Sequence, residues 1–258
     1  MRIALIQLEI NDRENKLQRL ERVEKILDEV DSAGLILLPE LWNIGFFNFD
    51  NYHRESETLQ GETINRMAAK AREKNAYILA GSIVEKMEER FYNTTVLLGP
   101  KGEILSTYRK IHLYGYGSRE SKLLTPGQEI VTVDTDFGRV GLATCYDLRF
   151  PELYRRMVDQ GAEIFLSTAG WPYPRVEHWV YLHFARAIEN QAYLISCNSA
   201  GLQNGAQYLG RSMVLDPWGV AVVSAGMHEA VVQTEIDPHL VKAVREEFPP
   251  LADRKLKI

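Results

Sequence analysis

Only two cysteines, Cys145 and Cys197, occur in the 258 residues. Two cannot build a secreted disulfide framework. A chain of this length needs none, because it buries on the order of 70–75% of its unfolded surface. Both cysteines are expected as free thiols in a reducing cytoplasm. A basic excess is missing too: 30 Lys and Arg stand against 35 Asp and Glu, a net charge of −5. That argues against nucleic acid as the main partner, since phosphate binding needs a basic surface. No uncharged run suits a bilayer, because the longest, residues 190–210, is rich in Asn, Gln, Ser and Gly. Met1 to Glu9 lacks the apolar length and the cleavage site of a signal peptide. The Asn93-Thr94-Thr95 sequon is therefore expected to stay unglycosylated. A Gly-x-Ser-x-Gly elbow and a P-loop are both absent. Gly115-Tyr116-Gly117 lacks the third glycine of a dinucleotide loop. His178 and His183 are five apart on an expected helix, roughly 140° around its axis, which is wrong for a shared metal.

What is present is ordinary globular composition, 45% apolar and 25% charged, without repeats or linkers. One domain over residues 1–258 is the expectation. Apolar runs place strands at 3–8, 35–38, 77–84, 94–99, 104–108, 130–133, 140–144, 164–166, 193–197, 212–215, 221–223 and 231–236. Helical spacing appears over 14–31, 62–74 and 175–190, and another helix is expected from Pro151. Asn11 with Glu14 resembles a capping box for the first helix. Residues 110–127 read as a loop. Strands and helices intermix, so the class is α/β or α+β, with sheets covered by helices.

Cys145 closes the strand 140–144 and precedes Tyr146-Asp147-Leu148-Arg149-Phe150-Pro151-Glu152, which enters a helix. A residue at that junction projects into the crevice at the sheet's carboxyl end. The backbone N–H groups that follow suit an anionic sulfur. A nucleophilic thiol needs a proton acceptor and an oxyanion partner. Glu40, just past the strand 35–38, and Lys110, just past 104–108, leave the sheet in the same way. Cys197 sits mid-strand and reads as core.

Leu38-Pro39-Glu40-Leu41-Trp42, Tyr108-Arg109-Lys110-Ile111-His112-Leu113 and Cys145-Tyr146-Asp147-Leu148-Arg149-Phe150-Pro151-Glu152-Leu153 resemble, in order, the three signature segments of the nitrilase superfamily, the carbon–nitrogen hydrolases. The likeness continues through Trp171-Pro172, His178-Trp179, Ala185-Arg186-Ala187-Ile188-Glu189-Asn190-Gln191 and Asp216-Pro217-Trp218-Gly219. The segment after Cys145 is most similar to the omega-amidase and deaminated-glutathione amidase branch. The resemblance implies a four-layer α-β-β-α sandwich and a Glu40–Lys110–Cys145 triad, with Glu120 as a second glutamate. It implies a thioester mechanism with the N–H of Tyr146 at the oxyanion, and no metal or organic cofactor. The implied substrate is a small amide bearing a carboxylate, such as the omega-amide of a 2-oxo acid. An N-carbamoyl amino acid or amine stays open as the alternative, as does a non-catalytic binding protein on the same fold.

An acidic protein needs a local cation to hold such a carboxylate. Arg149 is the first candidate, ahead of Arg175 and Arg119, although Arg149 is equally an ion-pair partner for Asp147 or Glu152. Trp42, Phe46, Tyr114, Tyr116 and Trp171 are candidate pocket walls, with core packing an equal reading of each. His112 is expected to support the strand end at Lys110. Family members commonly form dimers, and the tail 248–254 is placed to pack across such an interface.

Overall fold

Neighbouring residues along the first strand, Arg2–Gln7, enter two different cores. Ile3 and Leu5 join one apolar cluster, and Ala4 and Ile6 join the other. A strand buried on both faces has no polar alternation, so it reads as a plain apolar run. The computed structural model, which describes residues 1–256, shows why both faces are covered.

Two six-stranded sheets stack face to face. The first has the order Ala230–Glu235, Arg2–Gln7, Leu35–Leu37, Tyr77–Met87, Arg90–Leu98, Ile104–Arg109. The second runs Ala221–Ser224, Met213–Leu215, Tyr193–Asn198, Ile164–Ala169, Gly138–Thr144, Thr132–Thr135. In each, a parallel set (Arg2–Gln7 to Tyr77–Met87; Gly138–Thr144 to Tyr193–Asn198) is flanked by antiparallel strands. Ile3, Leu5, Leu37, Leu79 and Leu97 meet Leu142, Leu166 and Ile195 between the sheets. Helices Lys16–Asp28 and Glu62–Lys74 press Leu20, Val23, Leu27, Ile64 and Met67 onto the outer face of the first sheet. Helices Pro151–Asp159 and Val176–Asn190 press Leu153, Tyr154, Met157, Trp179 and Ala187 onto the second. The four layers are thus helix, sheet, sheet, helix. Among the described residues no helix is long and apolar enough to cross a membrane.

Three local expectations are corrected. The first helix is capped by Asn15 with Gln18, not by Asn11 with Glu14. The amide of Gln18 reaches the N–H of Asn15, while Asn11 accepts from the N–H of Arg13 and closes a turn before the helix. The strand expected at 130–133 is Thr132–Thr135, because hairpin pairing of Thr135 with Gly138 sets its register. Within the segment read as loop, Glu120–Leu123 forms one helical turn.

Candidate active site

Parallel strands deliver their carboxyl ends to one edge of a sheet, and the chain leaving them forms the crevice. Glu40 leaves Leu35–Leu37 there. The next residue, Leu41, takes φ +46 and donates its N–H to Ser82 Oγ at 3.0 Å. Gly81, at φ +67, lies beneath; a Cβ on it would stand 2.0 Å from the carbonyl oxygen of Pro39. Only glycine allows that approach. From the helix above, the buried Arg19 donates Nη1 to the carbonyls of Trp42 and Asn43, each at 3.2 Å. Glu40 is therefore held on a loop fixed from both sides. Its Oε1 accepts from Lys110 Nζ at 2.8 Å and from Asn93 Nδ2 at 2.7 Å, and its Oε2 accepts from the N–H of Gly170 at 2.8 Å.

Lys110 follows Ile104–Arg109, and its N–H donates to the carbonyl of Asn93 at 2.8 Å. Nζ donates to both oxygens of Glu120 at 3.0 Å as well as to Glu40. All three side chains are shut off from water. Burial alone would lower the ammonium's pKa, but Glu120 and Glu40 outweigh it and raise it above the ordinary value. Burial raises the carboxyl of Glu120, with Lys110 opposing and Glu40 adding. The Oε2 of Glu120 also accepts the N–H of Tyr114 at 2.7 Å.

Cys145 opens a 3₁₀ turn, Cys145–Arg149, at φ +48, an uncommon conformation for a side chain larger than glycine. Asp147 clamps the turn. It accepts from the N–H of Thr144 at 2.9 Å, from Tyr108 Oη at 2.7 Å, and from the N–H and Nδ1 of His112 at 3.1 and 2.7 Å. Cys145 is 5% exposed, and its thiol lies beside the Glu40 carboxylate. Burial first, then the Glu40 charge, push its pKa well up, with Lys110 opposing.

Above the sulfur lies an apolar cleft walled by Phe46, Tyr114, Tyr146 and Trp171, with Arg149 and Arg175 at its rim. Arg149 lies 4.7 Å from the centre of the Trp171 ring and donates to His178 Nδ1 at 3.2 Å. Arg175 donates to Tyr114 Oη at 2.9 Å. Neither has a carboxylate partner among the described residues. Asp147, weighed as a partner for Arg149, is occupied by His112, Tyr108 and Thr144.

Tyr116 is 81% exposed and takes no part in the cleft; Tyr114 stands there instead, anchored by the Glu120 bond to its N–H. Trp42 is core, its Nε1 bonded to the carbonyl of Ala80. Arg119 pairs with Asp50 at the surface. His112 stacks on Phe150 and serves Asp147. His183 is buried between the carbonyl of Trp179 and Ser196 Oγ. Cys197 lies in the core. Sequence reasoning passed over Asn93 and the hub role of Asp147; the only signal at Asn93 was its sequon. Among the described residues no group of three or more His, Cys, Asp or Glu is placed to hold a metal ion.

A buried thiol, carboxylate and ammonium meeting at the sheet ends of a four-layer sandwich define the class, a hydrolase that works through cysteine. The chain belongs to the carbon–nitrogen hydrolase family, whose profile matches residues 2–246. It is 35% identical to the 2-oxoglutaramate amidase of Paenarthrobacter nicotinovorans over 99% of this chain and 90% of that protein. Omega-amidase NIT2 of Homo sapiens is 33% identical over 98% of this chain and 95% of its own length. The solved structure of XC1258 from Xanthomonas campestris, a CN-hydrolase superfamily protein with an arsenic adduct in its active site, matches with a TM-score of 0.92. It is 28% identical, and the match covers 100% of this chain and 98% of that one.

Proposed function

We propose that the protein is an omega-amidase, cleaving the terminal amide of a small 2-oxo acid to the acid and ammonia. The observation that carries this reading is the meeting of Cys145, Glu40 and Lys110 under a cleft rimmed by two arginines that have no carboxylate partner among the described residues. Glu40 takes the thiol proton as the sulfur bonds to the amide carbon. Lys110 Nζ offers three hydrogens. One serves Glu40, one is shared by the oxygens of Glu120, and the third, with the N–H of Tyr146, holds the oxyanion. Glu40 passes its proton to the nitrogen, the C–N bond breaks and ammonia leaves a thioester. Glu40 then deprotonates water, which attacks the thioester carbon. The C–S bond breaks, the acid departs and the sulfur regains its proton. Glu120 keeps Lys110 in place throughout. Arg149 and Arg175 hold the substrate's carboxylate, a task suited to guanidinium, and Trp171 and Tyr146 wall its carbon chain.

The same reading places the enzyme in the reducing cytoplasm, where Cys145 stays a thiol. It also makes the enzyme a homodimer: Tyr181 and Ile188 on one helix, with Trp218 and Phe248 beside them, are exposed apolar groups that a second copy would cover.

The test is ammonia release from 2-oxoglutaramate, 2-oxosuccinamate, deaminated glutathione, N-carbamoyl-β-alanine and N-carbamoylputrescine, with Cys145→Ala as the control. Turnover of the 2-oxo amides without carbon dioxide, lost in the folded variant, is the expected result. Activity surviving in Cys145→Ala defeats the mechanism. Carbon dioxide released with ammonia moves the substrate to the N-carbamoyl class.

A further inference from the structure

We propose that the side-chain amide of Asn93 is a positioning group for the amide cleavage above. It holds Oε1 of Glu40 and Oε1 of Glu120 as acceptors, and so directs the Cys145 proton to Oε2 of Glu40. The inference rests on that reading of the reaction and adds a residue to it.

Asn93 lies on the strand Arg90–Leu98 and is fully buried. Its Nδ2 donates to Glu40 Oε1 at 2.7 Å and to Glu120 Oε1 at 2.8 Å. Those same two oxygens accept from Lys110 Nζ at 2.8 and 3.0 Å. Two nitrogens and two oxygens thus form a closed ring in which every contact runs from donor to acceptor. A carboxylate oxygen has two lone-pair sites. Both sites on Oε1 of Glu40 are filled, one by Asn93 and one by Lys110. Among the described residues Oε2 accepts only the N–H of Gly170, which leaves one of its sites open to a proton from the thiol. A proton arriving at Glu40 therefore has one place to go, the oxygen not held by the ring.

The orientation of the amide carries a cost. Asn93 Oδ1 is buried and has no hydrogen-bond partner among the described residues. An unpaired buried acceptor is destabilising. Turning the amide over would aim that oxygen at two carboxylates, which is worse, so the carboxylates decide the orientation. The backbone carbonyl of the same residue receives the N–H of Lys110 at 2.8 Å. One residue thus holds both the lysine's main chain and the counter-ions of its ammonium. A neutral donor fits here, because an acidic side chain would set a third carboxyl beside Glu40 and Glu120.

The experiment compares Asn93→Ala and Asn93→Asp with the wild type in two assays. One is the pH profile of kcat and KM for ammonia release. The other is the pH profile of Cys145 alkylation by iodoacetamide, which needs no substrate. Asn93→Ala is expected to lower kcat roughly 10- to 100-fold, with KM within about twofold, because a displaced base loses alignment. Asn93→Asp is expected to move the acid limb of both profiles upward by about one pH unit or more, as a like charge disfavours ionised Glu40. Folded variants with wild-type acid limbs and an unchanged kcat overturn the proposal. Failure of both variants to fold, seen by circular dichroism, assigns Asn93 to stability alone and also overturns it. If Cys145→Ala still releases ammonia, the functional reading falls, while the alkylation profiles still judge Asn93.

Discussion

An ammonium sealed from water, as at Lys110, persists only where charge answers it on nearly every side. Glu40 and Glu120 supply that answer, and the three groups stand or fall together. Removing one partner of a buried ion pair leaves an uncompensated charge, which costs about 3–5 kcal/mol. Lys110→Met, similar in length and neutral, should lose stability of that order at pH 7 in urea unfolding, along with all turnover. The loss should shrink at acid pH, where Glu120, its carboxyl raised by burial, becomes neutral. An equal loss at pH 7 and pH 4 counts against the ion pair as its cause. At this scale Glu40, Lys110 and Cys145 were legible because each follows the end of an expected strand and falls in one of the three signature segments. Asn93 was not, because its partners lie 53 and 27 positions away and only sheet register brings them near. Tyr116 and Trp42 misled for a related reason: an aromatic residue beside a motif does not reveal which way its ring turns.

The element that presents the sulfur is the turn Cys145–Arg149, and its shape depends on one carboxylate. Asp147 accepts from four donors belonging to Thr144, Tyr108 and His112, which joins the strand end at Cys145 to the strand end at Lys110. Beside it, the hydroxyls of Thr95 and Thr144 meet at 2.7 Å and tie the two sheets together. In Asp147→Asn one acceptor atom becomes a donor facing donors. Each buried group left unpaired costs about 1–3 kcal/mol. The variant should therefore unfold at lower urea concentration and alkylate at Cys145 with an altered rate, even where its secondary structure is intact. Wild-type values for both would show that the strands alone hold the turn. Elements with long apolar stripes were legible from spacing. Their ends were less so: both Asn11 and Asn15 are chemically able to cap, and only the reach of Gln18 back to Asn15 selects between them. The helical turn at Glu120–Leu123 is too short to show any period, and Glu120 is buried by partners from distant strands.

For the whole molecule, intermixed strands and helices indicated sheets covered by helices, but the four layers came from resemblance. Apolar runs buried on both faces do not tell which sheet each strand joins. That double burial also bears on acid stability. His183 sits between the second sheet and its covering helix, where burial, with a smaller push from Arg186, lowers the imidazole pKa to about 3 against the pull of the Trp179 carbonyl. An unfolded chain takes up that proton near 6.5. Between these values the unfolded state holds one proton more than the folded state, so stability rises with pH across the window. It is complete above 6.5 and erodes below it by about 1.4 kcal/mol per pH unit. Glu85 acts in the same direction at lower pH. Burial would raise its carboxyl, but bonds from Arg109 and Thr94 lower it below 4.5, so its share is lost only in stronger acid. Glu120, with its raised carboxyl, acts in the opposite direction. The imidazole is therefore isolated by comparison with His183→Asn, which retains a donor for the Trp179 carbonyl and takes up no proton. From pH 7 to pH 5 the wild type should lose about 2 kcal/mol more than this variant in urea unfolding. Parallel loss in the two proteins would mean that folded His183 takes up its proton as readily as the unfolded chain does, and the acid sensitivity would then belong to the carboxylates.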